Sequence, residues 1–404
     1  MKILFVHQNF PGQYKHIAPA LAVRGHDVVA MTMNKAPQIP GVKVIEYGVS
    51  RGNTQGIHPW VQQFESKVIR GEAAAMKAHE LKAAGFTPNV ICAHPGWGEP
   101  LFLKDVWPNA RLVSYFEFYY HASGADVGFD PEFPDNDFAM AATIRIKNAN
   151  NLLALEAADQ GITPTHWQRE QFPAAWRERI HVIHDGIDTD AIRPNAATVL
   201  RGNEGQLTLD GSMQILTFVN RHLEPCRGLH TFLRALPEIQ RRCPDAHVVI
   251  VGSEDGAYGP PPPQGTTWKG LFLGEVADRL DPSHIHFLGK VPYQTFLAIL
   301  QISTAHVYLT YPFVLSWSML EAMSTECLVI GSNTPPVREV IQNERNGLLV
   351  DFFDAAALAR MAADALNHRE KYMQLRQAAR QTIKEHYDLK TVCLPRHIAL
   401  VEGA

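Results

Sequence analysis

The sequence predicts an α/β protein built from two doubly wound parallel sheets. Three observations predict it. Short continuous apolar runs recur along the chain, as strands buried on both faces require. Helical patterns separate these runs twice over, the arrangement that parallel sheets need. The chain has 404 residues, more than one core normally fills, which suggests two to three domains. A hydrophobic share of 46% and a charged share of 19% exclude a disordered or collagen-like chain.

The elements follow in order. Residues 2–7 are an unbroken apolar run, Phe10-Pro-Gly12 breaks it, and Ile17, Leu21 and Val23 mark a helix stopped by Gly25. His26–Met31 resumes as a strand and completes a right-handed βαβ unit. Trp60, Phe64 and Val68 mark a long helix ending near Gly85. Strands are expected at 90–93, 112–115, 159–163 and 180–183, with a helix closing at 151–155. A polar, glycine-bearing connection at about 194–212 leads to a second series. Its strands fall at 214–219, 248–251, 285–288, 306–309, 328–330 and 348–350, and the segment Leu229–Arg241 is amphipathic. The predicted division is 1–193, 194–385 and a C-terminal helix at 386–404 that crosses back to the first domain. Two irregular pieces, 124–137 and the proline-rich 257–267, are loops.

Charge and cysteine content exclude several classes. Lys and Arg total 37 against 41 Asp and Glu, a formal charge of −4, so charge alone does not suggest nucleic-acid binding. No apolar run approaches the roughly 20 residues that span a bilayer, and the opening run is too short for a signal-peptide core. Lys67, Arg70, Lys77 and Lys82 share one helix with Glu65, Glu72 and Glu80, which reads as a solvated face with at most weak membrane contact. The five cysteines contain no C-x-x-C pair, against a disulfide framework or structural zinc. A cytoplasmic location is expected, extending at most to the inner face of the membrane.

Chemistry in such folds sits at the carboxyl ends of strands, where helix N-termini offer unpaired N–H groups. In the first half the Gly12 turn and His94-Pro-Gly-Trp-Gly98 occupy such places. In the second, Asn220-Arg221 and Arg227-Gly228 supply two guanidiniums suited to a diphosphate. Tyr311–Met323 carries Ser316 and Ser318 at a helix start and Glu321 one turn inside, a carboxylate placed to accept ribose hydroxyls.

Taken together, these segments resemble the retaining glycosyltransferases of family 4, whose GT-B architecture sets two Rossmann-like domains facing across a cleft. The resemblance covers the whole chain and rests on Phe10-Pro-Gly12, His94, residues 158–172, 182–194, 220–228, 287–293, 316–341 and 346–354 in that order. It implies that the first domain serves the acceptor and the second a nucleotide-sugar donor. Arg221 matches the arginine, and Arg227 the usual lysine, that hold the donor diphosphate. Glu321 matches the second glutamate of an E-x7-E signature that grips the ribose. Leu315, Ser316 and Trp317 match the loop whose N–H groups meet the donor, and Lys290 and Val291 lie where backbone meets the base. His94 matches a histidine beside the donor sugar, and Gly12 approaches the diphosphate. The sequence departs at Phe313, where the first glutamate of the signature is absent, and at Val314-Leu-Ser316, which replaces Gly-Phe-Gly.

The implied activity is retaining transfer of a sugar to a glycan, glycolipid or other glycoconjugate, a lipid-linked saccharide among them. The leaving phosphate takes the acceptor proton, and no cofactor is required. Asp188-Thr-Asp190 and Asp135-Asn-Asp137 look like metal-binding D-x-D pairs but read as structural, so no metal is expected. Glu117, Tyr119 and Asp126 are the acceptor-side candidates, with core packing the alternative for residues 115–120. Two other readings stay open. A nucleotide-sugar epimerase of the same fold would interconvert the donor without an acceptor, and a non-catalytic nucleotide-sugar-binding subunit would explain the missing glutamate.

Overall fold

The computed structural model describes residues 1–134, 137–202, 208–255 and 258–403. The chain divides into two compact units, Met1–Gly186 with Lys390–Ala404, and Ile187–Leu389.

Unit 1 contains β1 (Lys2–Val6), β2 (Asp27–Thr32), β3 (Val42–Glu46), β4 (Val90–Ala93), β5 (Arg111–Tyr115), β6 (Gln160–Thr163) and β7 (Ile180–Val182). They form one parallel sheet in the order β3-β2-β1-β4-β5-β6-β7. Its helices are α1 (Ile17–Val23), α2 (Gln62–Ala83), α3 (Leu103–Val106), α4 (Phe138–Ala157), α5 (His166–Gln171) and α6 (Ala174–Arg177). The period-2 geometry of strands sorts β1 onto two faces. Ile3 and Phe5 pack with α1 and with Leu400 and Val401 of the C-terminal helix Leu394–Glu402. Leu4 and Val6 pack with Ala74, Ala78 and Trp107 on the other side. Arg111 fixes the C-terminal helix by donating to the carbonyls of Leu400 (2.9 Å) and Val401.

Near its start, unit 2 has a strand pair within the 194–212 segment expected as a connection. β8 (Val199–Arg201) and β9 (Thr208–Asp210) pair antiparallel, and Leu200 and Leu209 are buried against Ile215 and Ile299. A parallel sheet follows, made of β10 (Ile215–His222), β11 (His247–Ser253), β12 (Ile285–Phe287), β13 (Ala305–Tyr308), β14 (Leu328–Ser332) and β15 (Leu348–Val350). Its order is β12-β11-β10-β13-β14-β15. The helices are α7 (Leu229–Arg242), α8 (Trp268–Gly274), α9 (Tyr293–Ile302), α10 (Trp317–Ser324), α11 (Pro335–Arg338), α12 (Ala355–Asn367) and α13 (Met373–His386).

The boundaries therefore fall at 186/187 and 389/390 rather than 193/194 and 385/386. Backbone bonding explains the shift. Ile187 donates to the Tyr387 carbonyl and accepts from Leu389, each at 2.8 Å, so residues on both sides of the expected boundaries are tied to unit 2. The solvated-face reading of α2 also needs correction. Lys67 is 9% exposed, because α2 lies against the turn that follows β4 and against α4.

Candidate functional site

Strand order places the sites. In each sheet the crossovers diverge between two central strands, and the crevice at their carboxyl ends is where α/β folds bind ligands. That switch point lies between β1 and β4 in unit 1 and between β10 and β13 in unit 2.

In unit 2, β10 extends through Arg221 to His222, past the strand end that the sequence suggests, with a register irregularity after Val219. The exposed Arg221 sits on that irregular end and its Nη1 donates to the Tyr258 hydroxyl at 3.4 Å. Arg227 lies in the tight turn Pro225–Arg227 immediately before α7. Gly228 then enters the left-handed region at φ +70°, and a Cβ there would lie 2.4 Å from Cβ of Leu309. Arg227 is buried, and its Nη1 donates to Thr310 Oγ1 at 2.8 Å and to the Val314 carbonyl at 3.4 Å. Its guanidinium carbon is 5.7 Å from the Tyr258 ring centre and 5.9 Å from that of Phe313. Among the described residues Arg227 has no ion-pair partner. A buried guanidinium held by neutral acceptors retains its full charge for an anion. Glu224, fully buried, shapes this group by accepting the Tyr258 and Gly259 N–H groups at 2.8 and 3.2 Å.

The helix α10 begins one residue after Ser316, whose hydroxyl caps it by accepting from the Ser318 N–H. Ser316 N–H itself donates to the Tyr308 hydroxyl at 2.8 Å, which ties the loop to β13. Leu315 is buried and Trp317 half-buried, while Met319, Leu320, Ala322 and Met323 are sealed in the core. Glu321 is therefore a carboxylate on an apolar helix, 7% exposed, and Tyr293 donates its hydroxyl to Glu321 Oε1 at 2.7 Å. Burial, then the adjacent charge of Glu321, pushes the Tyr293 hydroxyl pKa upward. Tyr293 follows Lys290 and Val291 by three and two residues, so the α9 start and the α10 carboxylate converge.

In unit 1, Gly12 adopts φ +46°, and a Cβ there would lie 2.4 Å from the His7 ring. His7 accepts the Asn9 N–H on Nδ1 and faces Gln13 through Nε2 at 2.8 Å. Burial lowers its pKa to about 4. His94, 2% exposed, follows β4 and packs against the rings of Trp97 (4.5 Å) and Tyr115 (5.4 Å) and beside His7 (5.4 Å). Burial, then repulsion from His7, holds His94 well below the usual histidine range, so it is neutral at pH 7. Its Nδ1 accepts the Gly96 N–H at 3.0 Å, leaving the single ring proton on Nε2. That Nε2 is buried without a hydrogen-bond partner, with Glu117 Oε2 nearest at 3.8 Å.

The acceptor-side residues separate. Glu117 is half-exposed beside His94, and its backbone carbonyl accepts from Gln168 Nε2 at 2.6 Å. Tyr119 packs with Phe172 and His121 and joins the cluster around Phe116. Asp126 is half-buried, its carboxyl raised by burial, with Lys147 among the charges opposing that rise. Of the two D-x-D pairs, Asp188 Oδ1 accepts the N–H groups of Asp190 and Ala191 in a turn. Asp137 caps α4 by accepting from the Met140 N–H, while Asp135 and Asn136 lie outside the described residues.

Sequence reasoning missed His7, Trp97, Glu224, Tyr258, Tyr293 and Thr310. His7 directly follows β1 and Thr310 lies two residues past β13, so both were legible as strand-end residues. Tyr258 carries no periodic or motif signal, and Tyr293 closes the 287–293 segment without any local sign that it would reach Glu321; loops and strand order bring them to the arginines and to Glu321.

Two family descriptions match the chain. "Glycosyl transferase family 4 group" spans residues 24–192, and "Glycosyl transferases group 1" spans residues 203–382. Spore coat protein SA of Bacillus subtilis (strain 168) is 25% identical over 402 residues, covering 93% of this chain and 90% of that protein. Sucrose-phosphate synthase from Thermosynechococcus elongatus superimposes with a TM-score of 0.76 at 17% identity, over the full length of both chains. Anabaena HepE in complex with UDP-glucose gives 0.69 at 15% identity, again over both full lengths.

Proposed function

Since the chain belongs to the group 1 glycosyltransferases of GT-B fold, we propose that it transfers a sugar with retention of configuration, from a nucleoside-diphosphate sugar to a glycoconjugate acceptor, without a metal. The observation that carries the reading is Arg227: a buried guanidinium with no ion pair among the described residues, at the switch point of its sheet. As the anomeric C–O bond to the diphosphate breaks, negative charge grows on the departing oxygens. Arg227 and Arg221 are fixed donors for that charge before the reaction begins, and such preorganised donors are worth about 10²- to 10³-fold in rate each. The new bond forms on the same face, and the acceptor hydroxyl proton passes to the departing phosphate. With two guanidiniums for the diphosphate, a divalent ion is not needed for charge.

Other residues then take roles of their own. Glu321, oriented by Tyr293, accepts the ribose hydroxyls. The capped start of α10 offers N–H groups to the phosphates. Leu315, Ser316 and Trp317 form that loop, and Lys290 and Val291 border the base. His94 donates its Nε2 proton to a hydroxyl of the transferred sugar, and Glu117 receives an acceptor hydroxyl. Phe313 stands where the family's first glutamate would be and presents a ring to Arg227 rather than a carboxylate to the sugar. The nucleotide-sugar complex of Anabaena HepE supports the donor class, UDP-glucose being that protein's ligand.

The test is a donor screen with uridine, guanosine and deoxythymidine diphosphate sugars in EDTA, with product anomers assigned by NMR. An α-linked product from an α-linked donor without metal is expected. An inverted product or strict metal dependence overturns the mechanism. Interconversion of donor without acceptor favours the epimerase, and binding without turnover favours the non-catalytic subunit.

A further inference from the structure

In unit 1 a buried carboxylate stands behind His94, one aromatic ring away. Ala93 of β4 pairs with Ser114 of β5, so the next residues along, His94 and Tyr115, are neighbours. Their rings stack at 5.4 Å with 23° between the planes. Tyr115 is buried, and the period of β5 sends it with Val113 to the face covered by α1 and the C-terminal helix. There its hydroxyl donates to Asp185 Oδ2 at 3.0 Å. Asp185 stands three residues past β7, 8% exposed, just before Gly186 takes φ +91° and the chain leaves unit 1. Its surroundings are held from both sides. His184 Nδ1 accepts the Gly186 N–H at 3.0 Å, and the His184 carbonyl faces His397 Nε2 of the C-terminal helix at 3.1 Å. Arg396 of the same helix donates to the Val182 carbonyl at 2.8 Å.

We infer that Asp185 and Tyr115 are positioning residues for His94, the carboxylate fixing the Tyr115 ring and the ring fixing the imidazole, a role that rests on the contact between His94 and the donor sugar given above. One hydrogen bond, from the Gly96 N–H to Nδ1, sets the tautomer of His94 but leaves its ring free to swing about that bond. A stacked ring removes the swing only if it is itself anchored. Trp97, 4.5 Å away, belongs to the turn after β4, whereas Tyr115 is tied to Asp185 in the core. Beside Asp185 lies a cavity of about 20 Å³, lined also by Tyr14, Cys92, Tyr115, Leu394 and His397. That volume admits one water and no larger ligand, so the carboxylate acts on the protein's own groups. Burial, then the Asp185 charge, raises the Tyr115 hydroxyl pKa, so the hydroxyl keeps its proton and remains a donor. A displacement of about 1 Å at a reacting centre can cost about 10²-fold in rate, which is what such a support prevents.

The test uses the full chain with ¹⁵N-labelled histidine, read by long-range ¹H–¹⁵N correlation, together with kcat/KM for the sugar nucleotide turned over fastest in the donor screen. Wild type should give one sharp set of His94 signals with the proton on Nε2. Tyr115→Phe keeps the ring but removes the hydroxyl, and Asp185→Ala removes the carboxylate. In each, the His94 signals should move or broaden while those of the exposed His181 stay in place. Activity should fall about 10- to 100-fold. In a His94→Ala background the same changes should cost less than about twofold, because residues that act through His94 have nothing left to act on. Asp185→Asn retains an oxygen to accept the tyrosine hydroxyl and should lose less than Asp185→Ala, and it carries the comparison should the alanine variant fail to fold. His94 signals unchanged in all folded variants, or losses that add in full to that of His94→Ala, overturn the positioning role. Should no donor be turned over, or His94→Ala match wild type, the sugar contact of His94 falls instead, and the ring signals alone decide whether Tyr115 and Asp185 orient it.

Discussion

Arg227 and Glu321 show how a single residue acquires function from its surroundings. Both are charged and buried, which is costly unless a partner compensates. Glu321 receives the Tyr293 hydroxyl, whereas Arg227 is held by a hydroxyl, a carbonyl and two rings. Arg227→Ala should therefore lower kcat about 10²- to 10³-fold with the melting curve little changed, read by steady-state assays and calorimetry. Equal turnover would remove it from the diphosphate. Glu321→Gln keeps the shape but removes the charge, and should raise the donor KM roughly tenfold while sparing kcat. Phe313 bears on the same point: a carboxylate there would stand near Arg227 and compete with the diphosphate for it.

At the scale of elements, a turn and a helix start do the positioning. The turn Pro225–Arg227 enters α7 only because Gly228 takes φ +70° against Leu309. Gly228→Ala adds both left-handed strain and a collision with a buried leucine, so a loss of about 2–4 kcal/mol in unit 2 is expected by denaturant melts. Donor affinity should fall with it, because Arg227 is the preceding residue. A variant as stable as wild type would show that the turn relaxes freely. The loop after β13 is held differently, by Tyr308 and by the Ser316 cap, so Ser316→Ala should cost about 1 kcal/mol and disturb the α10 start.

On the scale of the whole molecule, unit 1 gathers neutral histidines. Burial lowers His7 and His397 to about 4 and His184 to about 3, and holds His94 well below 6.5. A depressed folded pKa means that the unfolded chain binds more protons between about 6.5 and 4. Stability is complete above 6.5 and is lost as pH falls through that window. Glu99 opposes this, because burial raises its carboxyl to about 7 and it binds a proton in the folded state. Four histidines outweigh one glutamate. From pH 7 to 5 unit 1 should lose stability, each histidine contributing up to about 2 kcal/mol. Melts at the two pH values check this, and an unchanged unit 1 transition would refute it. Among the described residues no helix is long and apolar enough to cross a membrane.

The sequence by itself determined the strand-and-helix alternation, both sheets, and the strand-end positions of His94, Arg227 and Ser316. Those features are local: apolar period, glycine breaks and cap residues act over a few neighbours. Weakly apolar segments escaped, namely β3 with its half-exposed residues and the short pair β8 and β9, where only Leu200 and Leu209 are buried. The tertiary structure alone decided which strand ends adjoin and which charges lose water. Lys67 looked solvated until α2 was packed, and Tyr258 and Tyr293 reached their partners only through strand order. Burial and convergence depend on residues distant in sequence, and no local pattern encodes the desolvation that leaves Arg227 charged, buried and free of an ion pair among the described residues.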